Sequence, residues 1–440
     1  MIIDKSSPEW QQLPIKPFSP NQLRALALST APFNLWDGSI RSGKTFLSIL
    51  WLINMNKELP AGDGMILGQT PESIERNFLN SLMEVLGEGN YHYRTGKTID
   101  LYRWEDGQRL RRRFYLIGAK DVGAIRRVRG STVMIGYIDE GTLVPKVVFD
   151  EFVGRLSSEH AKCLVTTNPD SPNHWLLKDY VENAIARVDW RRFKFLLEDN
   201  LSLDDAYINR IKRQYAGIPA RYNRMIKGMW VIAEGIIYQK FDKSKHVVKR
   251  GKVPKTGLRR LFVGADYGVG NATVFLLIGE YYFNGRTVYY VLKEYYYSGR
   301  ESMRNKTTRE FGKDFAKFAK GQRIEDVVID PSAAALITEL ETDEVKREVG
   351  YFYNVTPADN AVNDGIQAVA NMFYDDVLYI VEDCIHTIEE LGLYSWDAKA
   401  QAKGIDKPLK ENDHCLDALR YAIYTIVGNY GDISDASGWG

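Results

Sequence analysis

The sequence predicts two α/β domains in tandem, and three observations carry that prediction. Near the N-terminus a glycine-rich loop, Gly38 to Thr45, joins an apolar strand to an apolar helix. In the second half three long β-forming runs follow one another, two of them joined by Asn284-Gly285. Between the halves lies a lysine-rich stretch without strand character, residues 240–255. A chain of 440 residues has room for roughly two to three domains.

Composition bounds the function classes. The hydrophobic share of 45% and the charged share of 26% are those of a soluble globular chain. The formal net charge is only +1, so basic character is local: Arg109 and Arg111 to Arg113, Arg126 to Arg129, Arg191 to Lys194, and Arg259-Arg260. Cys163, Cys384 and Cys415 are far apart and odd in number. That argues against a disulfide framework or a zinc cluster and fits a reducing cytosol. The N-terminus lacks a signal-peptide pattern and no apolar run is long enough to span a bilayer, so no membrane partner is expected.

In the first half, Pro20-Asn21-Gln22 opens a helix after a polar, proline-containing lead. Phe33-Asn34-Leu35-Trp36 reads as a strand. It runs into Gly38-Ser39-Ile40-Arg41-Ser42-Gly43-Lys44-Thr45, and a helix from Phe46 to Ile53 follows. The spacing is G-x-x-x-x-G-K-[ST] in the strand–loop–helix context that a phosphate-binding P-loop requires. Gly38 and Gly43 let the backbone wrap a phosphate, whose charge the loop N–H groups and the helix N-terminus stabilise. Lys44 reaches the β- and γ-phosphates and the Thr45 hydroxyl can hold Mg²⁺, so the expected ligand is ATP with Mg²⁺.

Ser131 to Ile138 reads as a buried parallel strand ending in Asp139-Glu140, at the end that faces the ligand crevice. Asp139 would ligate Mg²⁺ through water, and Glu140 would polarise the attacking water. Lys162 to Val165 is another strand; Thr166-Thr167-Asn168-Pro169 at its end is placed to sense the γ-phosphate. Two arginines are candidates for the cation of the transition state: Arg41 within the loop, acting in cis, and Arg129, reaching a neighbouring subunit. Arg129 is favoured because Gly130 implies a turn that exposes it. A strand at Met65-Ile66-Leu67 and a helix from Glu72 to Leu86 continue the alternation. The result is a doubly wound P-loop (RecA/ASCE-like) ATPase domain over residues 1–235. Helices at about 175–230 read as its small lid subdomain, and 236–256 reads as a basic linker.

From residue 257 to 440 the period changes. Strands Arg260 to Asp266, Ala272 to Phe283 and Thr287 to Tyr297 form an antiparallel meander, with a hairpin at Asn284-Gly285. A charged helix from Glu301 to Lys320 precedes the strand Asp326 to Ile329, which ends in Asp330. This order is that of the ribonuclease H fold. Its carboxylates fall on the first strand, at the end of the fourth and on a late helix; Asp266, Asp330 and Asp417 occupy those places. Such a set would hold two Mg²⁺ or Mn²⁺ ions for in-line phosphodiester hydrolysis. His414 could position a metal-bound water or the scissile phosphate. Asp413, the alternative to Asp417, reads with Asn412 as a helix cap. Glu294 reads as a surface residue, and the tyrosines from Tyr281 to Tyr297 as sheet packing.

This combination resembles the large terminase subunit of tailed bacteriophages and related prophages. The resemblance is carried by Gly38–Thr45, Ile138-Asp139-Glu140, Thr166–Pro169, Gly228–Tyr238, Gly365 to Asp397 and Asp413-His414-x-x-Asp417-Ala418-x-Arg420-Tyr421. It implies a motor that threads double-stranded DNA through the portal protein into a procapsid, and an endonuclease that makes the first and last cuts. It also implies a small terminase subunit as partner and a homo-oligomeric ring, typically of five. The location implied is the host cytoplasm, transiently docked on the portal and absent from the mature virion. By position, Gln22 looks like the family's adenine-reading glutamine and Thr166–Asn168 like its coupling motif. A monomer is expected in solution, since no coiled-coil pattern is present. A helicase–nuclease would instead need a second RecA-like domain where this chain carries a nuclease fold. A non-enzymatic docking protein would not need intact Lys44, Asp139, Glu140, Asp266, Asp330 and Asp417.

Overall fold

The structure, a computed structural model, describes residues 17–182, 189–268, 272–299, 302–411 and 413–428. It divides into two compact units. The first comprises Met1–Ile208, Ala220–Ala233 and Lys399–Asp406; the second comprises Asn209–Pro219, Glu234–Ala398 and Lys407–Gly440.

The first unit is built on eight strands: β1 (Phe33–Gly38), β2 (Gly64–Gly68), β3 (Tyr91–Arg94), β4 (Thr98–Glu105), β5 (Gln108–Gly118), β6 (Ile135–Ile138), β7 (Lys162–Thr167) and β8 (Trp190–Phe195). They form one sheet in the order β3-β4-β5-β2-β6-β7-β1-β8. From β5 to β8 every pairing is parallel, whereas β3, β4 and β5 form an antiparallel extension. Successive residues point to opposite faces, so both faces are apolar. Trp36, Ile66, Tyr137 and Leu164 pack with Leu47 and Trp51 on one side. Leu35, Met65, Leu67, Ile138 and Val165 pack with Val148, Phe149 and Phe152 on the other. Two helices flank the loop between β1 and its neighbours: α1 (Pro20–Leu28) and α2 (Lys44–Glu58).

The region read as an all-helical lid contains β8, which pairs in parallel with β1. Its signal was the two-residue alternation of Arg192-Phe193-Lys194-Phe195, which suits an edge strand with one wet face. The Arg109–Arg113 cluster is largely structural. Arg112 is buried and donates to the carbonyls of Leu59, Pro60 and Gly62, and Arg113 makes two hydrogen bonds to Asp100. Arg224, also buried, pairs with Asp170 at 2.9 Å and with Asp406, which arrives from the late segment Lys399–Asp406.

The second unit holds β9 (Val247–Val248), β10 (Leu258–Asp266), β11 (Ala272–Phe283), β12 (Arg286–Ser298), β13 (Ile324–Ile329), β14 (Asn354–Pro357) and β15 (Leu378–Val381). The sheet order is β14-β13-β10-β11-β12-β15-β9. The meander β10-β11-β12 is antiparallel, and β13 joins β10 in parallel. Asn284 and Gly285 both take positive φ, as a two-residue hairpin turn demands. The charged stretch read as strandless carries β9, which extends the sheet edge beside β15. Helix α3 (Thr308–Ala319) places Phe311, Phe315 and Phe318 in the core with Phe275 and Leu336. The unit's other helices include α4 (Val362–Tyr374), α5 (Ile385–Leu393) and α6 (His414–Ile426). Among the described residues no helix is long and apolar enough to cross a membrane.

Candidate active sites

The loop after β1 wraps a cavity of about 640 Å³, a volume in the range of small-ligand sites. Its lining includes Arg41, Ser42, Gly43, Lys44, Thr45, Asp139, Glu140, Thr167 and Asn168. The loop opens at Gly38 (φ 142°), whose backbone is pressed against β8: a Cβ there would lie 1.9 Å from the Phe195 carbonyl oxygen. Lys44 is curled into the loop. Its Nζ donates to the carbonyls of Ser39 (2.6 Å) and Gly38 (3.3 Å), to Ser42 Oγ (3.3 Å) and to Asn168 Oδ1 (3.2 Å). Burial pulls its pKa down to about 8, against the opposing pull of Asp37, Asp139 and Glu140. Gln22 joins α1 to the loop. Its Oε1 accepts from the Ser19 N–H at 2.9 Å, and its Nε2 donates to the Ser42 carbonyl at 3.0 Å.

Asp139 follows β6, where Tyr137 OH (3.1 Å) and Thr166 Oγ1 (3.0 Å) donate to its Oδ1. Burial raises its pKa, and those hydrogen bonds resist the rise. Glu140 takes a left-handed backbone conformation (φ 53°); burial first, then the Asp139 charge, raises its pKa. Thr167 Oγ1 accepts from the Thr142 N–H at 3.1 Å, which ties the turn after β6 to the end of β7. Arg129 does not line the cavity; it is exposed and pairs with Glu151 at 3.3 Å. Arg76, which sequence reasoning passed over, does line it, and its charge acts on Glu140. No sequence signal marked it; in the structure it lies in the π-helical turn Glu75–Leu79, a feature frequent at functional sites.

Beneath the cavity, Asp37 on β1 is fully buried and accepts from Arg192 Nε (2.8 Å), Arg192 Nη2 (2.6 Å) and Trp230 Nε1 (2.7 Å).

The second site forms where β10 and β13 end side by side, with Ala265 opposite Ile329, so that Asp266 and Asp330 leave adjacent strands. Helix α6 crosses them on Gly264, whose missing side chain lets the strand approach: a Cβ there would lie 2.1 Å from the Ala418 carbonyl oxygen. Residues three and four apart share a helix face, so His414, Asp417 and Tyr421 point together. His414 Nδ1 is 2.8 Å from Asp266 Oδ2, and Tyr421 OH donates to Asp330 Oδ2 at 3.2 Å. Tyr421 was quoted in the sequence motif without a role; its spacing from Asp417 was the signal for one.

Burial, and the charges of Asp417 and Asp413, raise the pKa of Asp266 against the His414 hydrogen bond. That hydrogen bond raises the pKa of His414 in turn. At Asp330 burial is outweighed by hydrogen bonds from Ser332 and Tyr421, which hold the carboxyl below its usual range. Crowded carboxylate oxygens beside an imidazole are a donor set that fits a hard divalent cation. Among the described residues, however, no three His, Cys, Asp or Glu side chains are drawn into a ready ligand cluster. The Asp417 oxygens are held instead by Lys410 (2.8 Å) and by the buried Arg420 (3.0 Å).

Two corrections concern carboxylates. Glu294 is not a surface residue. Its side chain is buried and accepts from the backbone N–H groups of His386 and Thr387 at the start of α5. Asp413 stands at the N-cap of α6, yet its side chain makes no capping hydrogen bond; Asn412, its alternative, lies outside the described residues. The cap comes from Glu390 on α5, which accepts from the N–H groups of Cys415 (2.8 Å) and Leu416 (3.2 Å).

Burial lifts the Glu390 pKa from its ordinary 4.5 to about 7. The folded form therefore holds this proton more tightly than the unfolded chain. The stability it confers is complete below pH 4.5 and is lost as pH rises through about 7. Glu390→Gln keeps the acceptor and should remove that decline, worth on the order of 3 kcal/mol. Urea unfolding of both forms at pH 5 and pH 8 checks it; parallel shifts in the two proteins would refute it.

Fold and sites together define a P-loop ATPase domain joined to a ribonuclease H-like domain. The family model described as terminase large subunit, T4likevirus-type, N-terminal matches residues 36–245, and that of the terminase RNaseH-like domain matches residues 290–425. The large terminase of a thermophilic bacteriophage is 33% identical, with 94% of this chain and 100% of that chain covered and a TM-score of 0.76. The same protein in complex with ADP gives a TM-score of 0.74 at 33% identity, covering 93% of this chain and 100% of that one. The terminase large subunit of Escherichia phage T5 is 24% identical over 287 residues, 62% of this chain. The match spans 60% of the T5 protein's length. This chain belongs to the large terminase family.

Proposed function

We propose that this chain is the motor and nuclease subunit of a viral DNA-packaging machine. In this reading ATP hydrolysis in the first unit drives double-stranded DNA into a procapsid, and the second unit cuts the concatemer when packaging starts and ends. The observation that carries the reading is the presence, in one terminase-family chain, of a complete phosphate loop and three strand- and helix-borne carboxylates. The large terminase of the thermophilic phage, solved with ADP and with ATP-gamma-S, supports nucleotide binding by this chain as well.

In the motor site, Lys44 exchanges its contacts with the loop carbonyls for phosphate oxygens, and Gln22 is placed to read the adenine. Thr45 and Asp139 would hold Mg²⁺ with the nucleotide. Glu140, whose pKa burial has raised, is suited to take a proton from the attacking water. Asn168, already bonded to Lys44, is positioned to report the γ-phosphate to the rest of the unit. Of the two candidates for the transition-state cation, the exposed Arg129 is the favoured one, reaching a neighbouring subunit of a ring, and Arg41 in cis is the alternative.

In the nuclease site, Asp266, Asp330 and Asp417 would hold two Mg²⁺ or Mn²⁺ ions. Such ions supply an activated water and charge stabilisation for the leaving oxygen. His414 orients Asp266, and Tyr421 orients Asp330. The domain reading that goes with this is an ATPase domain over 1–235, a basic connection over 236–256 and a nuclease domain over 257–440. The partners that fit are DNA, a portal protein, a small terminase subunit and further copies in a ring of about five, assembled in the host cytoplasm.

The test is DNA-stimulated ATPase activity and Mn²⁺-dependent plasmid cleavage by the wild type, Lys44→Ala and Asp266→Ala. Each substitution should abolish one activity, by about a thousandfold or more, and largely spare the other. A wild type that cuts no plasmid with any divalent metal would remove the nuclease assignment. Strand-polar unwinding without cleavage would favour a helicase.

A further inference from the structure

The two oxygens of Asp417 are held in different ways. Oδ1 accepts from Nη2 of Arg420, a side chain only 2% exposed and therefore fixed. Oδ2 accepts from Nζ of Lys410 at 2.8 Å, and that side chain is 50% exposed. The same ammonium lies 3.0 Å from Oδ2 of Asp413. Asp413 Oδ2 is buried and makes no hydrogen bond, so the ion pair with Lys410 is what meets its charge. Lys410 stands in the loop before α6, where the N–H of its neighbour Leu409 donates to the Ser395 carbonyl at 2.9 Å. The backbone is anchored next to the lysine, while its four-carbon stem is free to swing toward water.

A lysine ammonium is a compact unit charge. Between two carboxylates beside Asp266 it occupies the kind of place that a divalent ion would take. We propose that Lys410 is a built-in competitor for the metal: its ammonium holds Asp417 Oδ2 and Asp413 until a divalent cation displaces it. The inference rests on the nuclease reading above and adds a control to it. Loading the site becomes an exchange of one cation for another, so cleavage has a metal threshold set by the chain itself. Arg420 does not take part in the exchange; it keeps Asp417 aimed while the lysine leaves.

Mn²⁺ binding to the full-length, nucleotide-free protein tests this, by calorimetry and by electron paramagnetic resonance of free Mn²⁺. The proteins compared are wild type, Lys410→Met, Lys410→Gln, Lys410→Arg and Asp266→Asn, each checked by thermal melting. Lys410→Met and Lys410→Gln should bind Mn²⁺ about tenfold more tightly, the scale expected for releasing one half-exposed ammonium from its two carboxylates. Lys410→Arg, which keeps the charge, should bind no more tightly than wild type. Unchanged or weaker binding in folded Lys410→Met and Lys410→Gln would overturn the proposal. Failure of the nuclease reading itself looks different: Asp266→Asn would then bind Mn²⁺ as the wild type does.

Discussion

Gly264→Val should reduce DNA cleavage by at least about a hundredfold while leaving ATP hydrolysis within about twofold of wild type, because a misplacement near 1 Å costs that much. The argument is steric. A Cβ at Gly264 would sit 2.1 Å from the Ala418 oxygen and 2.9 Å from its carbonyl carbon, both backbone atoms of α6. No side chain can turn aside to relieve that contact, so helix and strand must part. His414, Asp417 and Tyr421 ride on the helix; Asp266 ends the strand. Separation therefore moves every helix-borne group of the site away from Asp266 at once. Plasmid cleavage and ATPase assays on one preparation would check it, with circular dichroism to show that the fold persists. Cleavage near the wild-type rate would mean that α6 does not set the site.

Arg192→Leu is expected to destabilise the first unit by about 3 kcal/mol, because removing the partly exposed arginine strands a fully buried carboxylate. Asp37 is fully buried, and two of its three hydrogen bonds come from Arg192. Of those three, only the Trp230 Nε1 hydrogen bond remains. For a unit of this size the melting temperature should fall by roughly 6–12 °C. Asp37→Asn in the same background should recover part of the loss, since a neutral amide needs no counter-charge. A calorimetric scan of the single and double variants gives the answer. Additive losses would show that the pair does not stabilise the unit as argued.

Neither Gly264 nor Arg192 was singled out by the sequence. The phosphate loop was legible because its chemistry is contiguous: eight residues, Gly38–Thr45, carry both the turn and the cation. The order of strands in the second unit was legible for a similar reason, since alternation and the Asn284-Gly285 turn are local signals. Asp266, Asp330 and Asp417 could be nominated from that order. What escaped was set by tertiary approach. Gly264 is one glycine in an apolar strand, and its meaning depends on a helix about 150 residues later. Glu294 reads as a surface charge within a tyrosine-rich packing strand, yet α5 begins on top of it. Arg192 resembled part of a basic patch until β8 was seen to lie beside β1.

The late segment Lys399–Asp406 has a consequence for how such proteins can be recombined. Asp406 comes from beyond the second unit's sheet in sequence, yet it neutralises Arg224 together with Asp170. A hybrid joined at a single junction near residue 235 would combine Arg224 from one parent with the residue at position 406 from the other. Inheritance of the first unit is thus not modular along the chain. A functional chimera would have to carry two separate stretches of the same parent, a linkage between positions 224 and 406 that no boundary drawn once through the sequence would preserve.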